Sequence, residues 1–535
     1  MELELLLAHA DGNQPVLHQG LAADKLLGAP LPPQVQMPEK LWDVNHDPND
    51  LSKQRWGIVA PKGAEGDRLL ELIAPLRKAR EEAQGAPAVV YRPSPGPTEE
   101  MNDAWAMRWK QEEFRNEAGM ESSLPRYLLL LGDLHQLPLE LQQVLATDAF
   151  VGRLAFPSEA GYEAYVRKVL RWEEMSTREK RVQMLFYTSW AEQGATHSGY
   201  HGLIAPSVAA CRNGQALGEF PMAEILELGS EQEVRREQLL AQAAELDQGV
   251  LFSLSHGASG FGASRRERQG ALMLPRDGAL LGKDVASRPF LPGGIWFFFA
   301  CFSAGTPTHS SYAHWLRQLY AYDPEAARSI VSELLPKGEK PFIAALPQAV
   351  LANPDGPLAV MGHVDLAWSY GYKDLGRPVP SRFLGVLKAL AEGGRAGVAL
   401  HALQRFVNEA SIELTLLHNR QQAGAGRSRF VVDPMQWAEL WMVRQDLSNY
   451  ILLGDPAVRL SLELSQPQPE LLKPPSPLRD LRAVAEKAVL ELLSGQPLES
   501  VVARHGGSTR ELRQWQDIFL SAGRAALDQY FSAKR

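Results

Sequence analysis

Two residues able to perform nucleophilic chemistry stand where apolar runs end. IWFFFACFSAG (295–305) closes an almost uninterrupted hydrophobic stretch on Cys301, and VLFSLSHG (250–257) closes another on His256 and Gly257. A thiolate attacks carbonyl carbon well, but a free thiol with a pKa of about 8.5 is mostly protonated at neutral pH. It needs a basic or cationic neighbour, and imidazole is the side chain that titrates in that range. Gly257 would let its backbone N–H approach a developing oxyanion, with the Cys301 N–H as the second donor. The small residues Ser303, Ala304 and Gly305 leave room for a substrate backbone. Each residue also has a plainer reading. A cysteine ending an apolar strand is more often packing, and a lone His-Gly is more often a turn.

Whether the two meet depends on the elements that carry them. From Trp56 the chain alternates strand-like and helix-like segments. WGIVAP (56–61), AVVYRP (88–93), YLLLLGD (127–133) and FVGRLAFP (150–157) read as strands. Helical spacing runs through 66–83, 101–118 and 162–175. The pattern restarts with strands at VQMLFYTSW (182–190), GVLFSLSHG (249–257), GGIWFFFACFSAG (293–305), KPFIAALPQAV (340–350) and GPLAVMGHVD (356–365), and a helix at 231–246. Short apolar strands separated by amphipathic helices imply an α/β fold with a mostly parallel sheet and helices on both faces. Ligands bind such sheets outside the carboxyl ends of the strands. Adjacent strands lie about 5 Å apart, so His256 and Cys301 would share one small space if their strands are neighbours. NYILLGDPAVRLSLEL (449–464) echoes YLLLLGDLHQLPLEL (127–141), as two related α/β units would.

The 535 residues are enough for several domains. The divisions expected are a lead-in at 1–50, an α/β subdomain at 51–178, a second α/β domain at 179–464, a proline-rich linker at 465–478 and a helical tail at 479–535. The linker, SQPQPELLKPPSPL, is marked by prolines that can neither join a ladder nor continue a helix. A net charge of −8 supplies no overall basic field for nucleic acid or anionic membranes. Two cysteines, Cys211 and Cys301, build no disulfide framework and fit a reducing, cytoplasmic setting. They also leave no C-x-x-C pair for zinc, so no metal is expected. No segment approaches the roughly 18 apolar residues of a membrane span, and the acidic start lacks a signal peptide's basic region.

SHGASG, then ALMLPRDGALLGKDV (271–285), then IWFFFACFSAG resembles the core of CHAT-type caspase-like cysteine peptidases, which group with caspases, separases and gingipains. NPDGPLAVMGHVDLAWSYG (353–371) and YILLGDPAVRL (450–460) are similar to late segments of such domains. LLLLGDLHQLPLELQ with VGRLAFPSEAGYEAYVRKVL (151–170) is similar to the leading half of gingipain-like chains, where a non-catalytic subdomain abuts the active one. The resemblance covers about residues 55–465. It implies a caspase-like three-layer α/β/α sandwich and an endopeptidase that needs no cofactor. Cys301 would form a thioester acyl-enzyme, and His256 would protonate the leaving amine and later activate water. The Gly257 and Cys301 N–H groups would hold the oxyanion. The implied partner is a protein substrate, cut at a specific site in prokaryotic defence or signalling.

The resemblance also implies a charged side chain in the pocket for the residue before the cut. Asp365 could favour Arg or Lys there, although a helix N-cap before LAWSYGY is the commoner role for such an aspartate. Glu192, His197 and His201, in YTSWAEQGATHSGYHG (187–202), are further candidates for pocket walls or plain loop residues. His309, His314 and His363 rival His256 as partner to Cys301, but only His256 occupies the strand-end His-Gly position.

The tail, LLSGQPLESVVARHGGSTRELRQWQDIFLSAGRAAL (492–527), resembles the helix-turn-helix of transposase-like proteins. Ser508 and Glu511 would form a capping box. Leu498, Val501, Val502, Leu512, Trp515 and Phe519 would fill a small core. Arg504, Arg510 and Arg513 could contact phosphates, yet Glu511, Asp517 and the acidic chain favour a regulatory protein partner over DNA. Two other readings stay open: a non-catalytic scaffold of the same fold, and a DNA-associated regulator.

Overall fold

A computed structural model describes residues 46–95, 100–115, 124–175, 182–374, 376–424, 433–462, 481–494 and 496–505, with short pieces at 2–3 and 21–22 and isolated positions between 512 and 519. The 465–478 linker and the Ser508–Glu511 capping box lie outside the described residues, as do Arg510, Arg513 and the Arg504 side chain.

Ten strands form one sheet: β1 (Trp56–Val59), β2 (Val89–Tyr91), β3 (Tyr127–Leu131), β4 (Phe150–Leu154), β5 (Val182–Thr188), β6 (Met222–Leu228), β7 (Val250–Leu254), β8 (Ile295–Phe299), β9 (Ala359–His363) and β10 (Tyr450–Leu453). Their order is β2-β1-β3-β4-β10-β9-β8-β7-β5-β6. Helices lie on both sides, so the α/β class with a mostly parallel sheet is the one observed. The inner strands β3, β4, β7, β8 and β9 are buried along their whole length, as a sheet covered on both faces requires. β6 is an edge strand with partly exposed residues, and its charged MAEILEL sequence carries too weak an alternation to be read as a strand.

One pairing breaks the parallel rule. β10 runs antiparallel to β9, with Tyr450 opposite His363, yet parallel to β4. β10 therefore runs with the strands of the leading part and opposite to the other strands of the later part, and a single sheet passes through both. Met1–Glu463 forms one compact unit and Leu464–Arg535 a second. The repeated Leu-Leu-Gly-Asp strings are both strand stops: Gly132 and Gly454 take positive φ of 112° and 117°, a conformation glycine adopts without steric cost. The aspartates that follow then brace neighbouring chain. Asp133 accepts from the Leu134 and Ile343 N–H groups. Asp455, fully buried, accepts from Trp56 Nε1 at 2.9 Å and Arg80 Nε at 2.7 Å. Arg80 also pairs with Glu173, tying β10 to two helices of the leading part.

Three expected elements differ. KPFIAALPQAV is not a sheet strand: only Phe342–Ile343 is extended, paired with Gly305–Thr306, and Ala345–Ala352 is helical. Its unbroken apolar run suits a buried helix as well as a strand, and periodicity cannot separate the two. The helix expected at 66–83 divides at Ile73, before Pro75, into Ala64–Leu72 and Ala74–Gln84. The one expected at 101–118 is Asp103–Trp109 continued by a π-turn at Lys110–Phe114. In the lead-in, Glu2–Leu3 pairs with Leu21–Ala22.

Within the carboxyl-terminal unit, helices Leu481–Leu493 and Leu498–His505 pack through Ala488, Val501 and Leu512, with Leu498, Val502 and Trp515 against them. Phe519 is 40% exposed and is not part of that cluster, which corrects its expected core role. No described helix is long and apolar enough to cross a membrane.

Candidate active site

β7 and β8 are hydrogen-bonded neighbours, parallel, with Leu254 opposite Phe299. His256 and Cys301 each stand two residues beyond that matched pair, at the carboxyl ends of their strands. Both line one crevice of about 40 Å³, together with Thr196, Ala367, Trp368 and Tyr372. Strand order thus brings together two residues 45 positions apart in the chain.

The turn carrying Cys301 is tight. Phe302, the next residue, has φ +55°, a left-handed conformation that costs a non-glycine residue energy and persists only where its surroundings impose it. Here the Phe302 N–H donates to Asp365 O at 2.8 Å, the Ala304 N–H to His363 O at 2.9 Å, and the Ser303 hydroxyl to Phe298 O at 2.8 Å. Gly257 lies directly against this turn. A Cβ added there would sit 1.9 Å from Cys301 O and 2.9 Å from its carbonyl carbon. Glycine at 257 is therefore needed for backbone-to-backbone approach between the two strand ends. Among the described residues, neither the Gly257 nor the Cys301 N–H has a hydrogen-bond acceptor.

The Cys301 sulfur, partly buried, accepts from the Ala367 N–H at 3.3 Å and faces Ala367 O at 3.8 Å. Burial pushes its thiol up to about 12; the Ala367 N–H opposes this, while Glu333, Asp446 and Asp365 add to it. Burial alone pushes His256 down to about 4. Among the described residues its buried Nε2 has no hydrogen-bond partner, and no hydrogen bond joins the ring to the sulfur. Burial thus favours the neutral form of both groups, and none of the charges that shift the thiol is cationic.

Asp365 is not a pocket residue. It is fully buried, does not line the crevice, and accepts from the Ser311 N–H at 2.7 Å and the Leu366 N–H at 2.8 Å. It is also no helix cap, since the next helical turn begins at Ser369. A carboxylate after a strand looks the same in sequence whether it faces solvent or braces a loop. Glu192 and His197 are exposed and, with His201, line a second cavity of about 250 Å³. Thr196 lines both this cavity and the crevice, so the two adjoin. Of the rival histidines, His363 is buried at the end of β9 with ring nitrogens 2.8 Å from Asp365 O and 3.1 Å from Asp446 O. His309 and His314 line a different cavity.

Asp446, on helix Pro434–Ser448, is a residue that sequence reasoning missed. Fully buried, it accepts from the Trp368 N–H at 2.9 Å and the Gly371 N–H at 2.7 Å, holding the crevice wall that touches Cys301. An aspartate within VRQDLS carries no local mark of that task. Among the described residues, no group of three His, Cys, Asp or Glu side chains could hold a metal ion.

No family model matches the sequence, and no curated protein does. Solved structures do. The Arg-specific cysteine proteinase gingipain R matches at 13% identity over 76% of this chain and 78% of that one, with a TM-score of 0.41. A structure described as a protease matches at 10% identity over 78% and 79%, with a TM-score of 0.45. The Saccharomyces cerevisiae separase–securin complex matches at 11% identity over 64% of this chain and 16% of that one, with a TM-score of 0.27.

Proposed function

We propose that the protein is a caspase-like cysteine endopeptidase acting through Cys301 and His256. The observation that carries this reading is their in-register placement at the carboxyl ends of neighbouring parallel strands, lining one crevice. Cys301 Sγ attacks the scissile carbonyl, forming a C–S bond while the carbonyl π pair moves onto oxygen. The free Gly257 and Cys301 N–H groups receive that oxyanion. The thiol proton goes to His256 Nε2, directly or through water, and from there to the leaving amine as the C–N bond breaks. Water, giving a proton to His256, then hydrolyses the thioester and returns Cys301 as a thiol.

The resting state is not primed for this. Burial opposes moving a proton from this thiol to this imidazole, since it raises the thiol pKa and lowers that of the imidazole. Substrate entry must therefore hydrate or re-seat the sulfur, and the wall at 366–372, which donates to it, is the part that has to yield. The adjoining cavity beside Glu192 and His197 is the place for a substrate side chain, and the Glu192 carboxylate favours a basic one. A partly buried thiol held in its neutral form is also what a non-catalytic scaffold of this fold would show, so that second reading is kept. A peptide-library cleavage profile separates them. Cleavage that is enriched for Arg or Lys and lost in Cys301→Ala supports the peptidase; a wild-type profile identical to that of Cys301→Ala leaves the scaffold.

A further inference from the structure

A roomier cavity, of about 380 Å³, shares no lining residue with the crevice. That volume lies within the range of small-molecule sites, about 300–1,000 Å³. Its walls come from both parts of the sheet: helix Asp103–Trp109 and the turn after it, helix Leu139–Leu145, the loop at 309–311 with helix Ala313–Tyr322, and helices Ala396–Gly424 and Pro434–Ser448.

The charges there are unevenly matched. Lys110 and Arg115 share the single carboxylate of Asp148, and Lys110 Nζ donates further to Val144 O at 2.8 Å and to the Thr147 hydroxyl. Arg444 donates from Nη1 to Gln445 Oε1 at 2.9 Å, but its Nε is buried with no partner. Burial holds this guanidinium down at about 10, with Asp103 as the opposing influence. Among the described residues Arg317, which is exposed, makes no ion pair, and the Nε2 of His314, one turn before it, is buried without a partner. Against four cations stand Asp103 and Glu140 in the lining and Asp148 behind it; burial pushes both the Glu140 carboxyl and the Lys110 ammonium towards their neutral forms. A buried cationic donor left unsatisfied, as Arg444 Nε is, is costly, and an anionic oxygen is the partner that would satisfy it. Hydroxyl and amide side chains, among them Ser310, Ser311, Asn408 and Gln111, make up much of the remaining wall.

The cavity is also joined to the crevice through two carboxylates. The backbone N–H of Ser311, in its wall, donates to Asp365, whose carbonyl takes the N–H of Phe302 beside Cys301. Arg444, Gln445 and Ser448, also in its wall, flank Asp446, which holds Trp368 and Gly371.

We propose that this cavity binds a small phosphorylated, hydroxyl-bearing molecule, its phosphate on Arg444 and Arg317, and that occupancy alters access to Cys301 through Asp365 and Asp446. The proposal does not depend on Cys301 cutting peptides, because alkylation reports the accessibility of its thiol either way. The test is calorimetric titration of the full chain with AMP, ribose 5-phosphate and inorganic phosphate, repeated on Arg444→Gln and Arg317→Gln. Arg317 is exposed, so its variant retains the fold even if the buried one does not. AMP or ribose 5-phosphate should bind more tightly than phosphate, and Arg317→Gln should weaken that binding by about tenfold. The tighter of the two organic phosphates tells whether the base contributes. At saturation the iodoacetamide rate at Cys301 should change by about threefold or more, with Cys211 unaffected. No binding by any probe, or binding that Arg317→Gln leaves unchanged, overturns the site; binding with an unchanged Cys301 rate overturns the link to the crevice.

Discussion

Gly257→Ala puts the shared geometry of the two strand ends under direct strain. The new Cβ would lie 1.9 Å from Cys301 O, whereas ordinary contact begins near 3.4 Å, so the two backbones must part by roughly 1.5 Å. Neither can move freely. The 257 segment is held by Ala258 N–H to Ala271 O at 2.7 Å and Met273 N–H to His256 O at 3.1 Å. The 301 turn is held by Phe302 N–H to Asp365 O at 2.8 Å. Overpacking of this kind costs about 1–3 kcal/mol of stability. A displacement above 1 Å between reacting groups costs on the order of a hundredfold in rate, and His256 and Cys301 are the residues beside and within the clash. The assay is chemical denaturation together with turnover of the best library peptide. Gly385→Ala is the control, because its Cβ would meet only Ala402 Cβ at 3.4 Å inside a helix, where alanine is neutral to stabilising. If Gly257→Ala denatures and turns over like wild type, the close approach of the two strand ends plays no part in holding the site.

Other perturbations probe the surroundings. His256 and His401 are both pushed down to about 4 by burial, so the unfolded chain binds more protons between pH 6.5 and 4. Stability is therefore full above about pH 6.5 and is lost as pH falls towards 4; His256→Gln should flatten that loss in denaturation curves, and an unchanged slope would contradict the buried imidazole. With its thiol near 12, Cys301 in the free protein should react with iodoacetamide at a rate that climbs with pH and shows no plateau below about pH 10; a plateau near neutrality would reveal a preformed thiolate. Arg80→Met strands the Asp455 carboxylate without its cation and should cost about 3–5 kcal/mol in urea denaturation. Asp446→Asn replaces one acceptor of the crevice wall by a donor. It should cost about 1–3 kcal/mol and speed alkylation of Cys301 as the wall loosens, and slower alkylation would exclude the positioning role.

The candidate pair could be read from the chain because each member ends its own apolar strand, and a strand end is a local feature. Their meeting could not. It depends on β7 and β8 being neighbours, with two short strands, Leu272–Leu274 and Gly278–Leu280, and helical turns at 262–268 and Gly282–Val285 intervening in the chain. Asp365 and Asp446 show the limit most clearly. Both are ordinary aspartates in the sequence, and only packing removes them from water and turns them into acceptors for loop N–H groups. The antiparallel seat of β10 is likewise invisible in YILL, whose apolar residues suit a buried strand in either direction. Hydrophobic period and residue chemistry are written along the chain, and they set the α/β class, most of the strands and the candidate nucleophile with its imidazole. Strand order, strand direction and the burial of charge arise from contacts between residues far apart in the chain. That is why the crevice wall, the braces behind it and the larger cavity emerged only once the chain was folded.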